Sequence, residues 1–137
     1  MKAILLIEDN PDDERLAVRA IQERVAESRI VVARDGAEAV DQLENEGDQF
    51  DLVLLDLKLP KISGLDVLRR LRGAPATAQM PVIVLTSSNE GSDLASARAL
   101  GADLYVQKAV DLDTFRRSID TILDRWLSGT PVASDSR

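Results

Sequence analysis

The chain has 137 residues, the length of one domain, and its 45% apolar and 30% charged residues are typical of a globular protein. It contains no cysteine and no histidine, which excludes disulfides, thiolate–metal sites and catalysis by a histidine base. A net charge of −7 argues against nucleic acid as a partner, and the apolar runs are too short to cross a membrane. The N-terminus lacks the pattern of a signal peptide, so we expect a cytoplasmic protein.

The first part of the chain alternates between strand and helix patterns. Residues 3–7 form an apolar run, which is typical of a strand buried on both faces of a parallel sheet. Asn10 and Pro11 are residue types that begin a helix, and the positions after them carry an apolar side at helical spacing. Residues 30–33 predict a second strand, and residues 35–47 predict a helix that starts with Asp-Gly and ends at glycine.

The middle of the chain predicts a third strand and helix and a fourth strand. Residues 51–56 predict the third strand, with four apolar residues between an aspartate at each end. Pro60 and Gly64 indicate the loop that follows, and Gly73 ends the third helix. Residues 81–86 predict the fourth strand, which again is almost entirely apolar.

The last part of the chain predicts two more helices around a short strand. A weak helical pattern stops at Gly101, and residues 104–107 predict the fifth strand. The final helix has the most regular pattern, with apolar residues at steps of 3 and 4 through Leu112, Phe115, Ile119, Ile122 and Trp126. We expect residues 1–127 to form one domain and residues 128–137 to form a polar C-terminal tail.

Five strands that alternate with five helices predict an α/β fold, a doubly wound parallel sheet with helices on both faces. In such sheets a ligand site lies at the carboxyl ends of the strands, near the point where the strand order reverses. The polar residues that follow the predicted strands are Glu8, Asp9, Asp56, Thr86 and Lys108. We therefore expect three carboxylates, one hydroxyl and one ammonium to lie close together.

Carboxylates this close repel one another and raise one another's pKa unless a cation joins them. Mg²⁺ suits the cluster best, because it prefers oxygen ligands and keeps waters that phosphate oxygens can replace. An ionised aspartate is a competent nucleophile, and a loose phosphoryl transition state mainly needs positioning and positive charge. The cluster therefore indicates phosphoryl chemistry at Asp56, although each residue taken singly is as well explained by capping, packing or solvation.

The same residues resemble the motif set of the receiver domains of bacterial two-component response regulators, over about residues 3–127. The resemblance rests on Glu8-Asp9, residues 54–60 around Asp56, Gly64, Leu85-Thr86-Ser87, Gly101-Ala102 and Lys108. It implies a flavodoxin-like fold with the strand order 2-1-3-4-5, in which the site lies where that order reverses.

The resemblance also implies a role for each site residue. Asp56 would accept the phosphoryl group from a sensor histidine kinase, and the only activity would be Mg²⁺-dependent self-phosphorylation and autodephosphorylation. Mg²⁺ would be held by Asp9, Asp56 and the backbone carbonyl of Lys58, and Glu8 would act on it through water. Phosphoryl binding and switching would fall to Thr86, Ser87, Lys108 and Tyr105. The signal would pass to a downstream protein or a phosphotransfer domain.

Two positions depart from the family pattern. Glu8 stands where aspartate is more usual, and Ala109 stands where most receivers have a cis proline after the lysine. A cis bond to a residue other than proline costs about 2.5–4 kcal/mol. Either the bond between Lys108 and Ala109 is strained, or a trans bond shifts the loop.

A finer resemblance is to the small regulators that are paired with bacterial phytochromes. It rests on the Glu-Asp-Asn-Pro segment, the lysine followed by a residue other than proline, and the Arg-Trp-Leu near the C-terminus. It implies a bacteriophytochrome as the kinase and a homodimer formed through the last helix. The candidate interface residues are Phe115, Ile119, Ile122, Leu123, Trp126 and Leu127.

Three other functions are compatible with parts of the sequence. A flavin mononucleotide carrier needs a hydroxyl- and glycine-rich loop after the first strand, where this chain has acidic residues. A phosphatase that forms an aspartyl-phosphate usually has a second aspartate where Lys58 stands. A degenerate receiver that only binds proteins is the main alternative, although Asp56 and Lys108 are both present.

Overall fold

The sheet consists of five strands that run in parallel. They are β1 (Lys2–Ile7), β2 (Ser28–Ala33), β3 (Leu52–Leu55), β4 (Val82–Thr86) and β5 (Leu104–Gln107). Their order is β2-β1-β3-β4-β5, which confirms the expected fold class and strand order. This computed structural model describes residues 2–87, 90–108 and 111–127. The expected tail at residues 128–137 and the bond between Lys108 and Ala109 lie outside these ranges.

Five helices follow the strands in the chain. They are α1 (Pro11–Arg24), α2 (Gly36–Glu46), α3 (Gly64–Gly73), α4 (Gly91–Ala99) and α5 (Leu112–Leu127). A short 3₁₀ turn, Gly47–Gln49, follows α2, and the sequence pattern does not predict it. Across the described ranges, no helix is long and apolar enough to cross a bilayer.

The two faces of the sheet bury two separate groups of apolar side chains, because successive strand residues point to opposite faces. Helices α2, α3 and α4 cover one face, where Leu5 and Val53 are fully buried. Helices α1 and α5 cover the other face, where Ile4 and Leu54 are fully buried. The sheet is therefore enclosed on both sides, and polar residues collect where its strands end.

Side-chain caps fix the starts of two helices, and one of them, Asn10, is the cap that the sequence predicts. The Asn10 side chain accepts hydrogen bonds from the backbone N–H groups of Asp12 and Asp13, at 2.9 and 3.1 Å. The Asp35 side chain accepts one from the Glu38 N–H at 2.8 Å. Caps of this kind satisfy N–H groups that have no partner within the helix, so α1 and α2 begin at fixed points beside the carboxyl edge of the sheet.

Several bounds differ from the sequence prediction by one or two residues, and β2, for example, begins at Ser28 and not at residue 30. β3 is shorter than expected, because its acidic flanks lie outside the strand: the Asp51 carboxylate accepts a hydrogen bond from the Ala3 N–H at 2.8 Å, and Asp56 follows the last strand residue. Leu112 begins α5 as expected, but 51% of its surface is exposed, so it is not part of the buried side of that helix.

Arg72, near the end of α3, joins separate segments of backbone. Its guanidinium donates to the Met80 carbonyl at 2.7 Å and to the Gly101 carbonyl at 2.9 Å. It also pairs with the Asp103 carboxylate at 3.1 Å, which accepts a hydrogen bond from the Val82 N–H. These bonds fix the starts of β4 and β5 relative to α3.

Arg72→Lys is expected to lower the free energy of unfolding by roughly 2–3 kcal/mol, because an ammonium cannot reach these acceptors with the geometry of a guanidinium fork. Urea denaturation measures the change. Arg70→Lys is the matched control, since Arg70 lies exposed on the same helix. An equal effect of the two substitutions would contradict the role given to Arg72.

Candidate functional site

Backbone hydrogen bonds at the carboxyl edge of the sheet fix the residues that follow the strands. The Asp56 N–H donates to the Ile7 carbonyl at 3.0 Å. The Lys108 N–H donates to the Thr86 carbonyl at 2.7 Å. The pairing of β1 with β3 and of β4 with β5 thus continues one residue past β3 and β5, and it sets the Asp56 and Lys108 side chains at the same edge.

The side-chain ammonium of Lys108 lies in the middle of the site. Its Nζ is 2.6 Å from Glu8 Oε1 and 3.1 Å from Asp56 Oδ2. It is also 2.9 Å from Asp13 Oδ2. The Lys108 side chain is only 9% exposed and those of Glu8 and Asp56 are 5% exposed, so these two ion pairs are buried, whereas the Asp13 side chain is 34% exposed. Breaking one of the buried pairs is costly, because the remaining charge is left where water solvates it poorly.

Both oxygens of the Asp56 carboxylate are held in place. Oδ1 accepts hydrogen bonds from the Thr86 hydroxyl at 2.8 Å and from the Lys58 N–H at 3.1 Å. Oδ2 accepts one from the Lys108 ammonium. A hydroxyl, a backbone N–H and an ammonium therefore surround one carboxylate, and all three can donate to an anion.

Glu8, Asp9 and Asp56 have the chemistry of a divalent-metal site. One carboxylate oxygen from each lies within 4.8 Å of the others, and Asp9 is exposed to solvent. An all-oxygen set of this kind suits a hard cation that keeps several waters. Beside Asp9, the loop before α3 lines a cleft of about 540 Å³ that reaches Asp93 on α4. The cluster thus fits a divalent cation and is open on one side.

The buried acid and base shift each other's pKa. Burial raises the pKa of Glu8 to about 7, and the Asp56 charge adds to this, while the bond to Lys108 opposes it. Burial by itself would lower the pKa of Lys108, but hydrogen bonds to Glu8 and Asp13 outweigh it and raise that pKa above its usual range. Lys108 is therefore charged at neutral pH. The fraction of Glu8 that is ionised at that pH depends on the positive charge close to it.

Other expected site residues lie around this cluster. Tyr105 is half-buried on β5 opposite Val84 and packs against the core under α2, α3 and α4. Ser87 directly follows β4 and is exposed. The roles of Tyr105 and Ser87, and that of the Lys58 carbonyl, stay predictions.

The candidate dimer residues on α5 need a correction. Five of them are at most 6% exposed and lie in the core that α5 shares with α1, namely Phe115, Ile119, Ile122, Leu123 and Leu127. Their apolar spacing is explained by packing within one chain, so they are not available to a second chain. Trp126 alone among the candidates is half-buried, with the Arg125 guanidinium 4.5 Å from its ring centroid.

Asp13 is a site residue that the sequence pattern does not single out. It lies in the first turn of α1, where acidic residues are already favoured by the helix dipole. Its bond to Lys108 joins residues from opposite ends of the chain. Its position four residues after Asp9, in the first turn of the helix that follows β1, is the signal that could have identified it.

Comparison with known proteins identifies the family. The family model described as the response regulator receiver domain matches residues 4–120. The chain is 31% identical to the response regulator Rcp1 of Synechocystis sp. over 131 residues, which cover 92% of this chain and 89% of Rcp1. The structure of the Mn²⁺-bound form of Rcp1 is similar with a TM-score of 0.87 and 30% identity, over 96% of this chain and 98% of that one.

Two further structures are similar. The phosphorylated cyanobacterial phytochrome response regulator RcpA has a TM-score of 0.88 and 34% identity, over 95% of this chain and 96% of that one. The bacteriophytochrome response regulator AtBRR has a TM-score of 0.71 and 40% identity, over 87% and 90% of the two chains. The chain belongs to the response regulator receiver domain family. Within it, the chain is homologous to phytochrome response regulators, and this replaces the flavin-carrier and phosphatase alternatives.

In the absence of metal, Lys108→Met is expected to lower the free energy of unfolding by about 3 kcal/mol at neutral pH, because it leaves buried carboxylates without a cation. Added Mg²⁺ is expected to restore part of this loss by binding the folded state. Urea denaturation in EDTA and in Mg²⁺ measures both effects. Arg70→Met is the control in EDTA, since it also removes one positive charge and Arg70 is exposed on α3. A loss no larger than that of the control would contradict the prediction.

Proposed function

We propose that this chain accepts a phosphoryl group on Asp56 from a sensor histidine kinase and signals by binding a partner or by phosphorelay. The observation that carries the proposal is the setting of the Asp56 carboxylate, which an ammonium, a hydroxyl and a backbone N–H surround. Donors of these three kinds bind phosphoryl oxygens as readily as carboxylate oxygens.

The transfer needs one new bond and one broken bond. An Asp56 carboxylate oxygen bonds to phosphorus while the bond between phosphorus and the donor's histidine nitrogen breaks. The electron pair of the broken bond stays on the donor's imidazole, which takes up a proton. Lys108 can then neutralise charge on the phosphoryl oxygens, and the Thr86 hydroxyl can turn from the carboxylate towards one of them. A loose transition state requires this kind of positioning more than covalent help.

Mg²⁺ is the cation that we propose for the site, held by Glu8, Asp9, Asp56 and the backbone carbonyl of Lys58. When bound, it would supply positive charge to the phosphoryl oxygens. The oxygen-only donor set favours Mg²⁺ over softer metals. The Mn²⁺-bound form of Rcp1 supports a divalent cation in a homologue.

The proposed activity is limited to the gain and loss of the phosphoryl group on Asp56. Small donors such as acetyl phosphate would phosphorylate Asp56 in a self-catalysed reaction, and water entering beside the exposed Asp9 would hydrolyse the product. Lys58 follows Asp56 by two positions, where an acid–base aspartate would be needed for turnover of phosphate esters. These features favour a switch over an enzyme that acts on many substrate molecules.

The proposed kinase is of the bacteriophytochrome type, because the names of RcpA and AtBRR link these homologues to phytochromes. Such a kinase and a downstream protein or phosphotransfer domain imply the cytoplasm as the compartment. Thr86 and Tyr105 are the proposed switch pair, in which movement of the Thr86 hydroxyl makes room for the Tyr105 ring. A degenerate receiver is disfavoured, since Lys108 and Asp56 are already in contact.

Incubation with acetyl phosphate and Mg²⁺ is expected to add one phosphoryl group to the chain, detected by intact mass spectrometry. Asp56→Asn is expected to remove the adduct, because an amide oxygen is a poor nucleophile and forms no acyl phosphate. Asp12→Asn is the matched control, since Asp12 is an exposed acid at the start of α1. An adduct that survives Asp56→Asn, or none in the parent chain, would exclude the proposal.

We also propose a homodimer formed at the end of α5, where the Trp126 side chain is partly exposed to solvent. Trp126→Ala is expected to raise the dimer dissociation constant at least about tenfold, because partly exposed tryptophans often dominate interface energies. Sedimentation at matched concentrations measures this. Leu112→Ala is the control, since Leu112 is exposed at the other end of the same helix. A monomeric parent chain would end the dimer proposal.

A further inference from the structure

The β3–α3 loop, residues 57–63, follows Asp56 and contains the Lys58 carbonyl that we propose as a metal ligand. The loop is closed at its base, where the Gly64 N–H donates to the Leu57 carbonyl at 3.2 Å. On one side of the Lys58 residue, its N–H donates to Asp56 Oδ1 at 3.1 Å. The course of the backbone on the other side, from the Lys58 carbonyl onwards, also depends on the contacts of the far end of the loop.

The far end of the β3–α3 loop rests on the first turn of α2. The Gly36 N–H donates to the Pro60 carbonyl at 3.2 Å. A Cβ atom on residue 36 would lie 1.9 Å from the Ile62 carbonyl oxygen and 2.6 Å from the Ile62 Cβ. Both distances are too short for any side chain, so only glycine allows the loop to approach α2 this closely.

An ion pair also joins the β3–α3 loop to the start of α2. Asp35 Oδ2 is 3.2 Å from the Lys61 ammonium, and the Asp35 side chain is 11% exposed. Asp35 Oδ1 caps α2 by accepting the Glu38 N–H. Lys61 has a φ of 70°, which is uncommon for a residue other than glycine. Asp35, the cap of α2, therefore binds a side chain of the loop, and Gly36, the first residue of α2, binds the loop's backbone.

We infer that Asp35 and Gly36 are positioning residues for the proposed Mg²⁺ site, because they hold the β3–α3 loop where the Lys58 carbonyl can reach the ion. The inference rests on the proposed function, since the place of that carbonyl matters only if a metal binds. Residues that orient a metal ligand without touching the metal commonly change its affinity about 10–100-fold. Asp35 and Gly36 act on the site in this indirect way.

Gly36→Ala is the direct test, because its methyl group forces the loop away from α2. The Kd for Mg²⁺, measured by titration calorimetry, is expected to rise about tenfold. The Mg²⁺ concentration that gives half the maximal phosphorylation rate with acetyl phosphate is expected to rise by the same factor, and saturating Mg²⁺ is expected to restore the rate. A variant with a lower urea midpoint but unchanged Mg²⁺ values would overturn the inference, since only packing would then depend on Gly36.

Two further variants complete the test. Gly73→Ala adds the same methyl group where a Cβ meets nothing within 4 Å, so its Kd for Mg²⁺ is expected to match that of the parent chain. Asp35→Asn keeps a good helix cap but removes the charge that pairs with Lys61, so its Kd is expected to rise about threefold. If Gly36→Ala does not fold, Asp35→Asn decides, and an unchanged affinity in that folded variant overturns the inference.

The parent chain separates this inference from the proposed function. A parent that binds no Mg²⁺ and accepts no phosphoryl group would overturn both. A parent that does both, together with variants of unchanged Mg²⁺ affinity, would overturn only the positioning role of Asp35 and Gly36.

Discussion

The Lys108 ammonium is the contact on which the rest of the site depends. Glu8 and Asp56 follow apolar strands and are each only 5% exposed, so neither carboxylate is well solvated by water. Charged carboxylates in such surroundings are tolerated only when a cation touches them. Lys108 provides that cation from the end of β5, while the strand order places β1 and β3 side by side. The sheet topology therefore brings the buried carboxylates to the cation that stabilises their charged forms.

One ammonium does not balance the acidic groups around it. Glu8, Asp9, Asp13 and Asp56 supply four carboxyl groups. Burial raises the pKa of Glu8 to about 7, and the nearby charge of Asp56 adds to this. A divalent cation would reduce the surplus without displacing Lys108, because Asp9 is exposed on the open side of the cluster. A phosphoryl group on Asp56 would then bring negative charge that two cations can share. The divalent cation would therefore bring the site closer to charge balance, and it would offset part of the negative charge that a phosphoryl group adds.

The sequence predicts most of the fold and the main site residues, because parallel strands bring the residues after them to one edge of the sheet. It does not predict the contact of Asp13 with Lys108, which depends on how α1 lies across the sheet. The regular spacing in α5 predicts a buried side but not its extent. Phe115 is covered by the α1–α5 core, whereas Leu112 at the start of the helix stays exposed. In the sequence, Gly36 looks like an ordinary residue at a helix start. Its close contact with the β3–α3 loop cannot be predicted, because the loop is distant in the chain and approaches Gly36 only in the folded structure.

The β3–α3 loop is held unequally on its two sides, and this bears on how a change at Asp56 spreads. A Cβ on Gly64 would lie 2.4 Å from the Asp56 carbonyl oxygen, so the base of the loop is as tightly packed as its contact with α2. Towards α4, the described ties include ion pairs from the Lys58 ammonium to Glu90 at 3.8 Å and to Asp93 at 3.6 Å. The Lys58 side chain is 55% exposed, and such pairs contribute about 0–1 kcal/mol each. On the α2 side, the loop is held by the hydrogen bond from the Gly36 N–H to the Pro60 carbonyl and by the ion pair of Lys61 with Asp35, whose side chain is only 11% exposed. The α2-side partners in these ties are less exposed to water than the acidic partners of Lys58, so we expect a rearrangement at Asp56 to move the loop relative to α4 before it moves relative to α2.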